Sequence, residues 1–395
     1  MPIQIISLPG SKSLSNRALI IRMLCNNYFK INNLSTADDT QILNKILMSD
    51  SNKIDVGHAG TVMRFITAFS AQIYGEWFIS GSERIKQRPV KELVDALREL
   101  GAEIHYKEKE GFLPLRIVGT MLKGKELHIS ASISSQFISA LMLIAPRIMG
   151  GLTIILDGEI VSRSYIEMTK KVMEYFGVNV RVQGNTIFIP ECSYKEKEFT
   201  VEADWSSASY WYSIAALSDF DSIILQGLKK SSWQGDSVIA EIFESLGVKT
   251  KSAKEGVTLF KNRVTATVFN YDFTNCPDLA QTLAVCLVLM KIPYTLTGLS
   301  TLKNKETDRI AALKKELAKI GARIKTTGNS ITWDGTIKNA EAAPEIETSQ
   351  DHRMAMAFAP AVIKYPEIKI NNPEVVSKSY PDFWEQFKKI KAINL

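Results

Sequence analysis

At 395 residues the chain is too long for one ordinary core, so two domains are expected. Apolar residues make up 45% and charged residues 23%, which excludes a disordered chain. No apolar run is long enough to span a bilayer and the N-terminus has no signal-peptide pattern, so a cytoplasmic protein is expected. The net charge of +6 is mild, and lysine-rich pieces such as "KEKEF" and "KNKE" alternate with glutamate, unlike the basic stripe of a nucleic-acid binder.

In chain order, "MPIQIISL" reads as a strand. It leads into "LPGSKSLSNRALI", where Pro9-Gly10 turns the chain and Leu14, Ala18, Ile21 and Leu24 give a helical apolar stripe. The loop is not a Walker A motif, because Ser11 precedes Lys12 and no glycine stands at the earlier position. The physics is related all the same. Free N–H groups at a helix start favour an anion, Lys12 adds a point charge, Ser13 a hydroxyl, and Arg17 follows one turn later on the same face. The competing reading is serine capping beside solvated charges; the density of donors favours an anion site.

The same pattern recurs. "GHAGTVMRF" sets Gly60, Thr61 and Arg64 at a turn entering a helix, and "IKQRPV" sets Arg88 before a proline, in extended backbone. "SISSQFISAL" brings Ser134, Ser135 and Gln136 to a helix start, and "VSRSYIEM" brings Ser162 and Tyr165. Any one of these reads as a cap. Their recurrence through the first half suggests helix N-termini converging on one cleft.

The second half adds acids. "NCPDLAQTL" carries Asp278, "NKETDRIAAL" carries Lys305, Glu306, Asp308 and Arg309, "SQDHRMAMAF" carries Asp351, His352 and Arg353, and "VSKSYPDFW" carries Lys378. Glu306 is expected on the helix of Arg309, three residues ahead of it. Acids at helix starts suit the macrodipole; Lys305, Arg309 and Arg353 do not, unless an anion is present.

Four segments repeat a helix–glycine–strand pattern: "ELVDALRELGAEIHY", "MTKKVMEYFGVNVRV", "VIAEIFESLGVKTKS" and "ALKKELAKIGARIKT". Gly101, Gly177, Gly247 and Gly321 fall at nearly equal intervals and are expected to adopt left-handed caps. Such a period fits a few large α/β units that lay helices on sheets. The best boundary is near "FTVEADWSSASYW", with a helix after "DWSS" capped by Asp204, Ser206 or Ser207. Cys25, Cys192, Cys276 and Cys286 form no C-x-x-C pair and no metal spacing, and are expected as buried, reduced thiols.

Taken together, "LPGSKSLSNRALI", "GHAGTVMRF", "SSQFISALM", "KETDRI", "DHRMAMAF" and "SYPDFW" resemble the EPSP synthase family, the 3-phosphoshikimate 1-carboxyvinyltransferases, in the family's order over nearly the whole chain. The resemblance implies an α/β, two-domain enolpyruvyl transferase-like fold. Each lobe is then built from three βαβαββ-type repeats (inverse α/β barrel-like), with the active site in the interdomain cleft. Residues 9–203 form one lobe, its first repeat abbreviated, and 1–8 with 204–395 form the other. The implied reaction joins phosphoenolpyruvate to the 5-hydroxyl of shikimate 3-phosphate and releases phosphate through a tetrahedral intermediate, with no metal or organic cofactor.

Site residues carry over by motif. The resemblance implies Ser134, Ser135 and Ser162 on the shikimate phosphate, with Tyr165 nearby, and Ser13, Arg17, Gln136 and Lys305 completing that site. It implies Lys12, Gly60, Thr61, Arg88, Gln136, Arg309, Arg353 and Lys378 around phosphoenolpyruvate. Asp278 accepts the hydroxyl proton and Glu306 exchanges the proton at C3, with Lys12 and His352 also catalytic and Arg64, Asp308 and Asp351 in support. Expected partners are the two substrates and the inhibitor glyphosate, with no nucleic acid or membrane, on a monomer. His58, Phe65 and Thr301 depart from the usual pattern. The sister transferase acting on UDP-N-acetylglucosamine typically uses a loop cysteine, which "SGSERIKQRPVKEL" lacks; RNA 3′-terminal phosphate cyclase needs a nucleotidylated histidine, for which only His352 stands in charged company.

Overall fold

The computed structural model describes residues 4–131, 134–219 and 221–390. The chain divides into two compact units, one of residues 11–201 and one of residues 1–10 with 202–395.

The first unit holds helices α1 (Lys12–Leu24), α2 (Asp38–Leu47), α3 (Gly60–Ala71), α4 (Lys91–Glu99), α5 (Ser135–Ile144) and α6 (Arg163–Tyr175). The second holds α7 (Trp205–Leu217), α8 (Ile239–Ile242), α9 (Ala280–Met290), α10 (Arg309–Lys319), α11 (His352–Phe358) and α12 (Phe383–Lys388). The odd-numbered helices are the inner ones. α9 is buried at every position from Ala280 to Leu289, and α11 at all of its positions. Their sequences explain this: apart from Gln281, His352 and Arg353 near their N-termini, "AQTLAVCLVLM" and "HRMAMAF" are apolar or small all round. The helices α4, α6 and α10 carry an apolar stripe and a charged outer face, and cover the inner ones.

Four sheets share one topology. In the first unit, Lys53–Asp55 pairs in parallel with Gly75–Ser80, which pairs antiparallel with Leu115–Gly119 and that with Glu103–Tyr106. Glu126–Ser130, Leu152–Asp157, Thr186–Ile189 and Arg181–Gln183 repeat the order. In the second unit, Gln4–Ser7, Ser222–Gln226, Gly256–Val264 and Leu246–Ala253 do so, as do Phe269–Asp272, Tyr294–Thr297, Ile331–Trp333 and Lys325–Thr326. In each sheet the last two strands form a hairpin, and helical segments lie between the other sequential strands. Each unit also has a third, two-stranded parallel pair: Phe199–Thr200 with Ile31–Asn32, and Glu345–Glu347 with Lys369–Asn371. Abbreviation is thus found in both units, where the sequence pattern pointed to one.

The strand Gln4–Ser7 precedes α1 in sequence yet pairs with the strand after α7. Phe199–Thr200 precedes α7 yet pairs with the strand after α1. The chain therefore passes between units twice, at residues 10–11 and 201–202. Residues 1–3 of the expected opening strand lie outside the described residues.

Gly101, Gly177, Gly247 and Gly321 all have positive φ, between 83° and 103°. Three of them follow full helices. The helix expected in "VIAEIFESLGVKTKS" is instead one 3-10 stretch (Gly235–Val238) and the four residues of α8. Upstream of it Gln234 is tied to Trp205 and Ala203. Helix α7 starts at Trp205, earlier than expected, because the Asp204 carboxylate accepts from the Ser207 N–H. Cys276 and Cys286 are buried, but Cys25 and Cys192 are only half-buried, since they sit at a helix end and in a surface segment; all four are unbridged. Among the described residues no helix is long and apolar enough to cross a membrane.

Candidate active site

The inner helices present their N-termini with the residues singled out above, in two sets that each belong to one unit. In the second unit, α9 is entered through the 3-10 turn Pro277–Leu279, which carries Asp278. One Asp278 oxygen accepts from Arg309 at 3.0 Å and faces the Lys305 ammonium at 3.3 Å; the other accepts from Arg353 at 2.8 Å. Burial pushes this carboxyl upward, but the Arg353, Lys305 and Arg309 charges outweigh it and hold the acid well below the usual range.

Arg309, 1% exposed, is the centre of the set. Its guanidinium makes a two-pronged contact with Asp351 (2.7 and 3.2 Å), reaches Asp278, and donates to Glu306 at 2.9 Å. Burial opposes its charge, yet Asp351, Glu306 and Asp278 together raise its pKa. Glu306 also faces Lys378 at 3.2 Å. Burial draws the Lys305 ammonium below its ordinary value, against the pull of Asp278. Two local devices build this geometry. The Asp308 side chain caps α10 on the Ala311 N–H, so the helix begins at Arg309 and Glu306 lies ahead of it rather than on it, as had been expected. The buried Asp351 caps α11 on the Arg353 N–H while serving Arg309. His352 is buried beside Asp351, at 3.7 Å.

Three residues that sequence reasoning missed as site members complete the cluster. Arg353 donates to Ser206 at 3.3 Å and to the Tyr210 hydroxyl at 3.5 Å. Ser206 in turn donates to Asp236. Burial, and then the charge of Asp278, lift the Asp236 carboxyl to about 6. The charge on one acid raises the pKa of its neighbour. In the sequence Ser206 read only as a possible cap, and Tyr210 and Asp236 were not singled out.

In the first unit, α3 and α5 start side by side. Gln136 donates to Thr61 at 2.9 Å and accepts from Arg64 at 3.2 Å, while Arg64 also donates to the Gly60 carbonyl at 2.8 Å and lies over the Phe137 ring. A β-carbon on Gly60 would stand 2.4 Å from an Arg88 nitrogen and 2.9 Å from one of Arg64. Arg88 has extended backbone (φ −92°, ψ 127°). His58 meets Ser82 at 2.8 Å, which ties the Gly60 turn to the loop that carries Arg88.

Lys12 faces Asp39 at 3.3 Å, and Ser11, not Ser13, caps α1. Arg17 lies inside the unit, 2% exposed, donating to Thr169 (2.8 Å), Ser139 (3.0 Å) and the carbonyls of Ser13 and Tyr165. Burial brings its pKa down to about 10. Phe65 packs under its guanidinium, which gives that departure from the family pattern a structural role. Ser134 caps α5, and Ser162 precedes α6 in the left-handed region at φ 58°, unusual for a residue with a side chain. The structure thus brings Gly60, Thr61, Arg64, Arg88 and Gln136 together in one unit, and Asp278, Lys305, Glu306, Arg309, Asp351, Arg353 and Lys378 in the other.

Residues 43–387 match the protein family EPSP synthase (3-phosphoshikimate 1-carboxyvinyltransferase). The chain is 49% identical over 386 residues to the 3-phosphoshikimate 1-carboxyvinyltransferase of Bacteroides fragilis (strain YCH46), covering 97% of this chain and 94% of that one. It is 37% identical over 416 residues to the 3-phosphoshikimate 1-carboxyvinyltransferase of Sulfurovum sp. (strain NBC37-1), covering 98% and 96%. In fold it is similar to the EPSP synthase of Acinetobacter baumannii, with TM-score 0.76 at 20% identity over 97% of this chain and 94% of that one.

Proposed function

We propose that this chain, which belongs to the EPSP synthase (3-phosphoshikimate 1-carboxyvinyltransferase) family, transfers the enolpyruvyl group of phosphoenolpyruvate to the 5-hydroxyl of shikimate 3-phosphate with release of phosphate. The observation that carries this reading is the buried carboxylate of Asp278, held by three cations, beside a second acid, Glu306. Both substrates are polyanions, and the cations gathered around these acids are the groups suited to grip them.

In this reading Arg88, Arg309, Arg353, Lys12 and Lys378 hold phosphoenolpyruvate, with Gly60, Thr61 and Gln136 lining its place. Ser134, Ser135, Ser162, Tyr165, Ser13, Arg17 and Lys305 hold shikimate 3-phosphate. When the phosphate and carboxylate of phosphoenolpyruvate engage Arg353, Asp278 loses part of its compensation and its pKa rises toward that of a working base. The 5-hydroxyl then gives its proton to Asp278 as its oxygen bonds to C2, and C3 gains a proton from Glu306, assisted by Lys12. In the second half Glu306 takes back a C3 proton as the C2–O bond to phosphate breaks, and Asp278 returns its proton to the departing phosphate. The cations stabilise the departing phosphate in place, which is preorganised electrostatic catalysis. Asp351, Asp308 and Arg64 support the grip, and His352 stands beside Asp351.

The test is phosphate release by the purified protein. Release is expected with shikimate 3-phosphate and phosphoenolpyruvate together, and none with either missing. Silence with both, or release from phosphoenolpyruvate alone, overturns the reading. A cytoplasmic monomer that binds glyphosate in the place of phosphoenolpyruvate accompanies it.

Gly60→Ala is a finer probe. The atoms in the way of the new methyl are the tips of Arg88 and Arg64, so the fold tolerates the change while both guanidiniums move. The ratio of the glyphosate inhibition constant to the KM for phosphoenolpyruvate is expected to rise about tenfold, 1.4 kcal/mol of discrimination. Equal weakening of both ligands contradicts it.

A further inference from the structure

We propose that Asp236 is a positioning residue: through the Ser206 hydroxyl it fixes the direction in which Arg353 presents its guanidinium. The proposal rests on the functional reading above, in which Arg353 holds phosphoenolpyruvate.

The geometry has three parts. First, the Ser206 hydroxyl has one proton, and it goes to an Asp236 carboxylate oxygen. With its proton so committed, the hydroxyl can only accept from Arg353, which stands 3.3 Å away. Without an acceptor at position 236 the hydroxyl is free to turn its proton toward Arg353, where it repels the guanidinium.

Second, Asp236 is itself held in place. It opens the 3-10 stretch after Gln234, whose side chain donates to the Ala203 carbonyl and accepts from the Trp205 N–H. The buried Glu202 carboxylate accepts from the Trp205 indole (2.8 Å), the Lys229 N–H (2.9 Å) and the Ser232 hydroxyl (2.7 Å). Loop 227–235 is thereby fastened to the start of α7, the helix that carries Ser206. A loop tied down by a satisfied buried carboxylate has a purpose beyond closing a turn.

Third, among the described residues no cation forms an ion pair with Asp236. The charged groups around it are Asp204, Asp278 and Arg353, and Arg353 makes its short contact with Asp278. An acid that is 6% exposed, with a hydroxyl as its direct partner, is costly to keep unless its acceptor oxygen is needed.

Two variants separate orientation from charge. Asp236→Asn and Asp236→Ala remove the same charge, but only Asn retains an acceptor oxygen for Ser206. The Ala variant is expected to show a KM for phosphoenolpyruvate at least fivefold above that of the Asn variant. The kcat values and the KM for shikimate 3-phosphate should agree within about twofold between the two (both changes are below 0.5 kcal/mol). In the Ser206→Ala background the difference between Ala and Asn at position 236 should vanish. Circular dichroism and thermal unfolding confirm that each variant is folded. Equal KM values for the two variants, or a difference that persists without Ser206, overturn the proposal. Failure of the functional reading would show separately, as wild-type protein that releases no phosphate from the two substrates.

Discussion

Asp278→Asn is expected to lower kcat about a thousandfold, within the range typical of a lost general base. Both substrates should still bind within about tenfold. The two halves of this expectation have one cause. Asn keeps the size of the side chain and an acceptor oxygen for Arg353, so the cluster keeps its shape. It cannot take the hydroxyl proton. It also leaves Arg353, Lys305 and Arg309 without the charge they share, so the pocket grows more positive and phosphoenolpyruvate binds as well as before or better. Steady-state phosphate release gives kcat, and calorimetric titration of shikimate 3-phosphate gives binding. Turnover close to wild type would remove Asp278 from the proton transfer.

The second large effect is on stability. Arg309→Ala is expected to destabilise the second unit by about 3–5 kcal/mol, the range found when one member of a buried ion cluster is deleted. Three carboxylates converge on this guanidinium; with it gone Asp278 keeps Lys305 and Arg353 and Glu306 keeps Lys378, but the fully buried Asp351 loses the guanidinium that neutralises it. Lysine does not rescue the site, because a single ammonium cannot satisfy the two-pronged contact with Asp351 as well as Asp278 and Glu306.

The sign of the pH dependence follows. In the wild type Asp278 has a folded pKa below its unfolded value, so its contribution is present above the unfolded value and is lost as pH falls through the folded one. In the Ala variant Asp278 keeps Lys305 and Arg353 but loses one of its three cations, so less of that contribution remains. The gap between wild type and variant is therefore larger at pH 5, above the unfolded value of Asp278, than at pH 3, below it. Denaturant unfolding at both pH values checks this. A loss under about 1 kcal/mol, or a gap that does not change with pH, would show that Arg309 does not hold the cluster together.

The two expectations differ in kind because, in the proposed reading, the same cations serve both substrate and fold. Asp278 touches three of them from the mouth of α9, whereas Arg309 lies between the acids that cap and join α9, α10 and α11. Removing the first changes chemistry with the scaffold intact. Removing the second takes away the partner on which the scaffold closes.

Much of this was legible along the chain. Interactions confined to three or four residues leave a local mark: the Asp351 cap on Arg353, the Glu306–Arg309 pair, and the glycine after a helix. Apart from Gln281, the all-round apolar or small character of "AQTLAVCLVLM" likewise states that the helix is buried. What the sequence determined by itself was therefore the set of helix starts, the caps and the repeated order of elements. Only the tertiary structure decided which helix starts meet. Arg353 finds Ser206 147 residues away and Tyr210 143 away, and Arg17 finds Thr169 across 152. Such partners share no periodicity, and a serine at a helix start or an aspartate in a turn looks the same whether or not a guanidinium lies beside it. The decision rests with packing of the inner helices, which sets those distances only once both cores have closed.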